Sequence, residues 1–186
     1  MTNNLEILAK IIEFADNAHD GQMRKYSSER YIVHPVRVMK MCRKYTDSLP
    51  VLAAAILHDV IEDTHYTEND LSTFLQNYLN EEQQNHTLQL VIELTDVYVK
   101  KNFPALNRLK RKKMELSRLM EITPEAQTIK YADIIDNANE ISKNDPDFAK
   151  RYLQECYDII SVLTKGNPEL RMVALETIVT SEKNIN

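Results

Sequence analysis

Four side chains able to hold a cation or move a proton fall within six consecutive positions, His58-Asp59-Val60-Ile61-Glu62-Asp63. They close the most apolar stretch of the chain, Val51 to Ile61. An ionised carboxylate in such surroundings costs several kcal/mol unless it is paired, hydrogen-bonded or bound to metal. Glu62 follows His58 by four residues and Asp63 follows Asp59 by four, so each pair shares one face if the stretch is helical. One pair can then ligate while the other helps reactants. The plain alternative, a solvated helix end carrying surface acids, stays open at this point.

Two further groups extend the set. Ile129-Lys130-Tyr131-Ala132-Asp133-Ile134-Ile135-Asp136-Asn137 places Asp133, Asp136 and Asn137 on a second apolar segment, with Asp133 and Asn137 at the same four-residue spacing. In Tyr31-Ile32-Val33-His34-Pro35 a histidine stands just before a proline that can start a helix; taken alone, His34 also fits a hydrogen-bonded structural histidine. His34, His58, Asp59 and Asp133 together offer two imidazoles and two carboxylates. Such a mixed nitrogen and oxygen set suits a divalent first-row metal with positions left for water or substrate. It is not the cysteine-rich set of a closed structural zinc site. Cys42 and Cys156 lie far apart and belong to no CxxC pair, which points to buried, reduced thiols without chemistry.

A net charge of −5 argues against a nucleic-acid polymer as partner. The charge is unevenly spread, however. Lys100 to Arg118 holds eight basic residues against the single acid Glu115, so this segment is +7 while the remainder is −12. A solvated helix face accounts for such a run; so does a local attractor for a small polyanion.

The elements that must position these groups read as helices. Leu8, Ile11, Ile12, Ala15 and Ala18 repeat at helical spacing. Val51 to Ile61 is apolar almost all round, as a central helix packed on several sides would be. The only glycines, Gly21 and Gly166, each follow a helix-like segment and are expected to be left-handed helix stops. Pro50, Pro104, Pro124, Pro146 and Pro168 stand where helices can begin. Thr123-Pro124-Glu125, Asp145-Pro146-Asp147 and Asn167-Pro168-Glu169 have the order cap, proline, acid. Thr67-Glu68-Asn69-Asp70 has the form of a capping box. No segment alternates with the period of a strand. We expect an all-α, single-domain helical bundle of about nine helices over residues 1–186, with Ser181 to Asn186 fraying. The first residues carry no basic and apolar leader, and no apolar run approaches the ~18 residues of a membrane span. A cytoplasmic protein, with no membrane partner, is the expectation.

The motifs are also those of a known family. His34, His58-Asp59 and Asp133 resemble the H…HD…D signature of the HD superfamily. Ala18-His19-Asp20-Gly21-Gln22-Met23-Arg24-Lys25 with Tyr31-Ile32-Val33-His34-Pro35 resembles the first motif of the Rel/Spo-type alarmone hydrolases. Ala54-Ala55-Ile56-Leu57-His58-Asp59-Val60-Ile61-Glu62-Asp63-Thr64 is similar to their second, and Lys130-Tyr131-Ala132-Asp133 with Asn137 to their third. The likeness covers Phe14 to Asn139, and without a synthetase domain the chain looks like a stand-alone small hydrolase of the metazoan Spot-homologue type. It departs at Arg30, where these enzymes usually have proline, and at Ile134-Ile135-Asp136, which replaces a more basic run.

The resemblance implies an HD-type fold and removal of pyrophosphate from the 3′ position of ppGpp or pppGpp, leaving GDP or GTP. His34, His58, Asp59 and Asp133 would hold one metal, typically Mn²⁺ in this family. Glu62 and Asp63 would position and deprotonate the attacking water. Arg24 and Lys25 would hold the base, with the planar guanidinium of Arg24 suited to stacking. Asn137 would donate to ribose or phosphate. Arg108 and Lys112, four apart on one face, would contact phosphate. His19, His65 and His86 read as structural or surface residues. Two alternatives remain: the same metal site acting on NADPH or an adenosine alarmone, and a non-catalytic alarmone-binding or antitoxin-like module.

Overall fold

The computed structural model describes residues 4–185. They form two compact units, one ending at Leu94 and one starting at Thr95. In the first, α1 (Asn4–Ala18), α2 (Val33–Cys42), α3 (Leu49–Leu57), the short α4 (Val60–Asp63), α5 (Glu68–Leu75) and α6 (Glu81–Leu94) follow in order. The second holds α7 (Arg108–Leu119), α8 (Pro124–Asn144), α9 (Pro146–Val162) and α10 (Pro168–Ile185). Apart from the single turn α4, nine helices of eight residues or more are present among the described residues. The sole β-type pairing among them is an isolated bridge between Met23 and Arg30. The all-α expectation therefore holds.

In the first unit α3 is the hub. Leu49 and Val51 through Leu57 are all buried, and α1, α2 and α6 pack around them, with α5 against α6. Burying one such aliphatic side chain is worth about 1.5–3 kcal/mol, which sets a high threshold for placing His58 at the end of this helix. In the second unit α8 takes the central place: it packs on α9 and α10, while α7 lies on α9. Ten residues of α8 are buried, Asp133 among them.

The helix starts are made as the sequence indicates. Thr67 accepts from Asp70 N while Asp70 accepts from Thr67 N, a reciprocal capping box. Thr123, Asp145 and Asn167 accept from Ala126 N, Phe148 N and Leu170 N. Pro104 differs: it lies in a turn, and α7 starts four residues later on the cap Asn107. Ser181 to Ile185 do not fray but continue α10, because Ser181 and Ile178 are buried; Asn186 lies outside the described residues.

The two glycines serve different ends. Gly21 has φ +75°, the left-handed stop expected after α1. Gly166 does not adopt positive φ. Its requirement is close approach: an added Cβ would stand 2.6 Å from Tyr131 Cε2 and 2.9 Å from Thr128 N. Neither neighbour can give way, since the Tyr131 ring is fully buried with its hydroxyl donating to Leu163 O, and Thr128 N belongs to the α8 backbone. Gly166→Ala is therefore expected to cost about 2 kcal/mol and to lower Tm by roughly 6 °C in a thermal unfolding scan. An unchanged Tm would show that the α9–α10 turn is free to move.

Candidate metal centre

α3 ends at Leu57, and a turn through His58 and Asp59 leads into α4. Val51 to Ile61 is thus not one unbroken helix, although Asp63 N still donates to Asp59 O at 2.9 Å across the turn. The interruption has a local cause. The Ala55 carbonyl, in the last turn of α3, accepts from the His58 side chain at 2.9 Å through Nδ1. A carbonyl can only accept, so Nδ1 carries a proton and Nε2 is the nitrogen left to face Asp59 or a cation. This is the arrangement in which a protein fixes the tautomer of a ligating imidazole.

Both imidazoles aim at one oxygen. His58 Nε2 lies 3.2 Å and His34 Nε2 3.5 Å from Asp59 Oδ2. His34, supplied by α2, and His58 are almost fully buried. The three ligand atoms lie within 4.8 Å of one another, so a single ion can reach all of them after small rotations. The donor set fits a divalent cation: two imidazole nitrogens and one carboxylate, with outer hydrogen bonds from His58 to Ala55 O and from Tyr31 to Asp59 in place.

Asp63 stands next to this group. The Tyr31 hydroxyl lies 2.7 Å from Asp59 Oδ2 and 3.0 Å from Asp63 Oδ2, and it is the donor to both. Loss of water, followed by the Asp59 charge, pushes the Asp63 carboxyl above the usual carboxylate range, against the Tyr31 hydrogen bond and the nearby His19 and His58. Burial and the same two carboxylates hold the Tyr31 phenol above its ordinary range, so it stays a donor. Glu62 is exposed on α4.

His19, expected to be structural or on the surface, is 2% exposed and stacks on the Tyr31 ring at 4.5 Å between centroids. It belongs to the surroundings of the centre. Its sequence signal was faint: only its place at the end of α1, just before the loop that carries Arg24. The Arg24 guanidinium lies 5.8 Å from the Tyr31 ring centroid and the side chain is 8% exposed, whereas Lys25 is exposed and donates to Tyr26 OH. His65 is exposed beside Tyr66, and His86 is half-buried on α6.

In the second unit Asp133 is 7% exposed. Lys130 Nζ donates to its Oδ2 at 2.9 Å and Asn137 Nδ2 to its Oδ1 at 2.6 Å. Asp133 lines a cavity of about 730 Å³ together with Arg108, Lys112, Lys113, Arg151 and Tyr152. Arg108 and Lys112 are drawn to that one cavity as their spacing suggests, but each already faces an acid: Arg108 is bidentate with Glu155, and Lys112 is 3.6 Å from Asp96. Cys156 borders the same cavity, and burial pushes its thiol up to about 12; Cys42 is raised likewise. Neither is a nucleophile near neutral pH.

An all-helical fold in which two buried histidines meet a partly exposed aspartate beside further carboxylates defines a class of candidate metal-dependent hydrolases. The chain belongs to the HD domain family, whose pattern matches residues 31–138. It is 33% identical over 170 residues to the guanosine-3′,5′-bis(diphosphate) 3′-pyrophosphohydrolase of Vibrio cholerae, covering 86% of this chain and 21% of that protein. The chain thus spans about a fifth of the length of that curated relative. A shorter relative of the same name from Homo sapiens is 28% identical over 164 residues, covering 86% of this chain and 83% of that one. The fold is shared with a metazoan ortholog of SpoT that hydrolyzes ppGpp, at a TM-score of 0.79 and 23% identity, over 97% of this chain and 98% of the other. No helix among the described residues is long and apolar enough to cross a membrane.

Proposed function

We propose that this chain is a Mn²⁺-dependent hydrolase that converts ppGpp and pppGpp to GDP and GTP with release of pyrophosphate. The observation that carries the reading is the convergence of His34 and His58 on Asp59 with Asp63 tied alongside. The guanosine substrate rests on the similarity to the Vibrio cholerae and Homo sapiens pyrophosphohydrolases. We take 1–186 as one functional HD-type domain, because the family match runs through both units. Two buried thiols support a reducing, cytoplasmic location.

His34, His58 and Asp59 would hold the metal, with Asp133 as a fourth ligand. When bound, a divalent cation there supplies Lewis acidity, acidifying water and offsetting phosphate charge. Glu62 and Asp63 take the proton of the attacking water. The water oxygen bonds to the phosphorus next to the 3′ oxygen, and the bond between them breaks. The 3′ oxygen recovers a proton from the carboxyl that received it, and pyrophosphate departs. Arg24 and Lys25 hold the base, and Asn137 donates to ribose or phosphate. Arg108 and Lys112 exchange Glu155 and Asp96 for phosphate oxygens, which leaves the planar fork of Arg108 matched to an oxyanion.

The test is product release by the purified chain with Mn²⁺, with ppGpp, pppGpp, pppApp and NADPH at equal concentration. Pyrophosphate from the guanosine compounds alone is the expected result. Turnover of pppApp alone, or phosphate from NADPH alone, would replace the substrate and keep the hydrolytic site. No turnover by a metal-loaded chain would instead favour a non-catalytic binding module.

A further inference from the structure

Tyr31 carries no role in the hydrolytic scheme, yet its hydroxyl touches both a candidate metal ligand and a candidate base. It lies 2.7 Å from Asp59 Oδ2 and 3.0 Å from Asp63 Oδ2. Two carboxylates brought to one hydroxyl repel each other unless something between them supplies a proton to share. A phenol has a single proton to give. We propose that Tyr31 is a positioning residue, which locks the ligand Asp59 and the base Asp63 into one unit so that each is aimed before substrate arrives. The inference deepens the hydrolase reading and rests on it for the role of Asp63.

The surroundings of Tyr31 are built to keep the hydroxyl there. His19 stacks on the ring with an interplanar angle of 29°. Gln22 ties the ring's own backbone to the Asp63 backbone: its carbonyl accepts from Tyr31 N at 3.0 Å, and its Nε2 donates to Asp63 O at 2.9 Å. His19 Nδ1 lies 3.0 Å from Gln22 Oε1, an oxygen that only accepts, so His19 donates and holds the amide in that orientation. The loop between them is closed by the Met23–Arg30 bridge and by Arg24 N donating to Glu29 O at 2.9 Å. Arg30, one of the departures from the family pattern, anchors this loop to α1 through Asp16 at 3.0 Å. One loop thereby fixes the phenol, and through Gln22 it fixes the backbone of the carboxylate that the phenol binds.

Outer hydrogen bonds of this kind typically change metal affinity or activity by about 10–100-fold when removed. Tyr31→Phe keeps the ring and its stacking and removes only the oxygen. By calorimetry its Mn²⁺ affinity is expected to fall by about tenfold. At saturating Mn²⁺, kcat for ppGpp is expected to fall by at least about tenfold while KM stays within roughly twofold, because the residue touches no substrate. In an Asp63→Ala background, where Glu62 sustains the residual rate, the same substitution is expected to leave kcat nearly unchanged while still weakening Mn²⁺ binding. Wild-type values for both Kd and kcat in Tyr31→Phe would overturn the proposal. So would an equal fractional loss of kcat in both backgrounds, which is what a general loosening of the fold would give. If the wild-type chain binds Mn²⁺ but hydrolyses no guanosine compound, the substrate reading fails, and the calorimetric comparison still decides the tie between Tyr31 and Asp59.

Discussion

Replacing Glu62 by Gln together with Asp63 by Asn is expected to lower kcat for ppGpp by about a thousandfold, within the range that a positioned general base supplies. Both replacements keep the size and shape of the side chain and remove its ability to take a proton. The amide oxygen introduced by Asp63→Asn would still accept from Tyr31, so the link to Asp59 at 2.7 Å is preserved and the His34-His58-Asp59 group keeps its form. Mn²⁺ and nucleotide binding are therefore expected to remain, measured by calorimetry under conditions where turnover has ceased. Asp63 is the stronger of the two candidates. The Tyr31 hydroxyl, 3.0 Å from its Oδ2, holds its carboxyl beside the candidate ligand Asp59, and without metal loss of water and the Asp59 charge raise that carboxyl above its ordinary value. Glu62 and Asp63 are both exposed on α4, so exposure does not separate them. Full activity in the double variant would remove both residues from the reaction and return them to the plain surface acids that the sequence also allowed.

The parts of this arrangement that were legible in the sequence share one property: their cause is local. The apolar run of α3, the four caps and the turn at Gly21 are each decided by residues within a few positions, and the structure forms them as read. The same holds for Asp133 and Asn137, whose four-residue spacing becomes a 2.6 Å hydrogen bond. What was missed depends on partners distant in the chain. Tyr31 meets Asp59 and Asp63 across 28 and 32 residues, and nothing in its immediate neighbours marks a phenol that bridges two acids. A glycine after a helix most often is a left-handed stop, whereas the actual constraint on Gly166 is the Tyr131 ring, 35 residues earlier. His19 has the sequence setting of a lone structural histidine and is packed against the site. The break at His58 is a mixed case. Helix periodicity continues through it, but the side chain captures the Ala55 carbonyl and the helix yields.

Removing His58 is expected to reduce Mn²⁺ affinity by about a hundredfold or more, at or beyond the upper end of what loss of an outer partner causes, because a direct donor is lost with its hydrogen-bonded orientation. His58→Ala also empties a nearly fully buried site, so the variant is compared by circular dichroism and by thermal unfolding without metal before its affinity is read. Wild-type affinity in a folded His58→Ala would eliminate the convergence on Asp59 Oδ2 as the metal centre. Asp133→Ala asks a different question of the same titration. Its resemblance to the family motif would make Asp133 the fourth ligand, while within its own unit it is a buried carboxylate satisfied by Lys130 and Asn137. If it ligates, its loss weakens Mn²⁺ binding and, with chelator present, both variants and wild type alike release no pyrophosphate. If Asp133→Ala binds Mn²⁺ as tightly as wild type but loses activity, the residue belongs instead to the basic cavity of Arg108 and Lys112, where its charge orients Lys130 rather than the metal. The two outcomes assign the cation either to His34, His58 and Asp59 alone or to a set completed from α8.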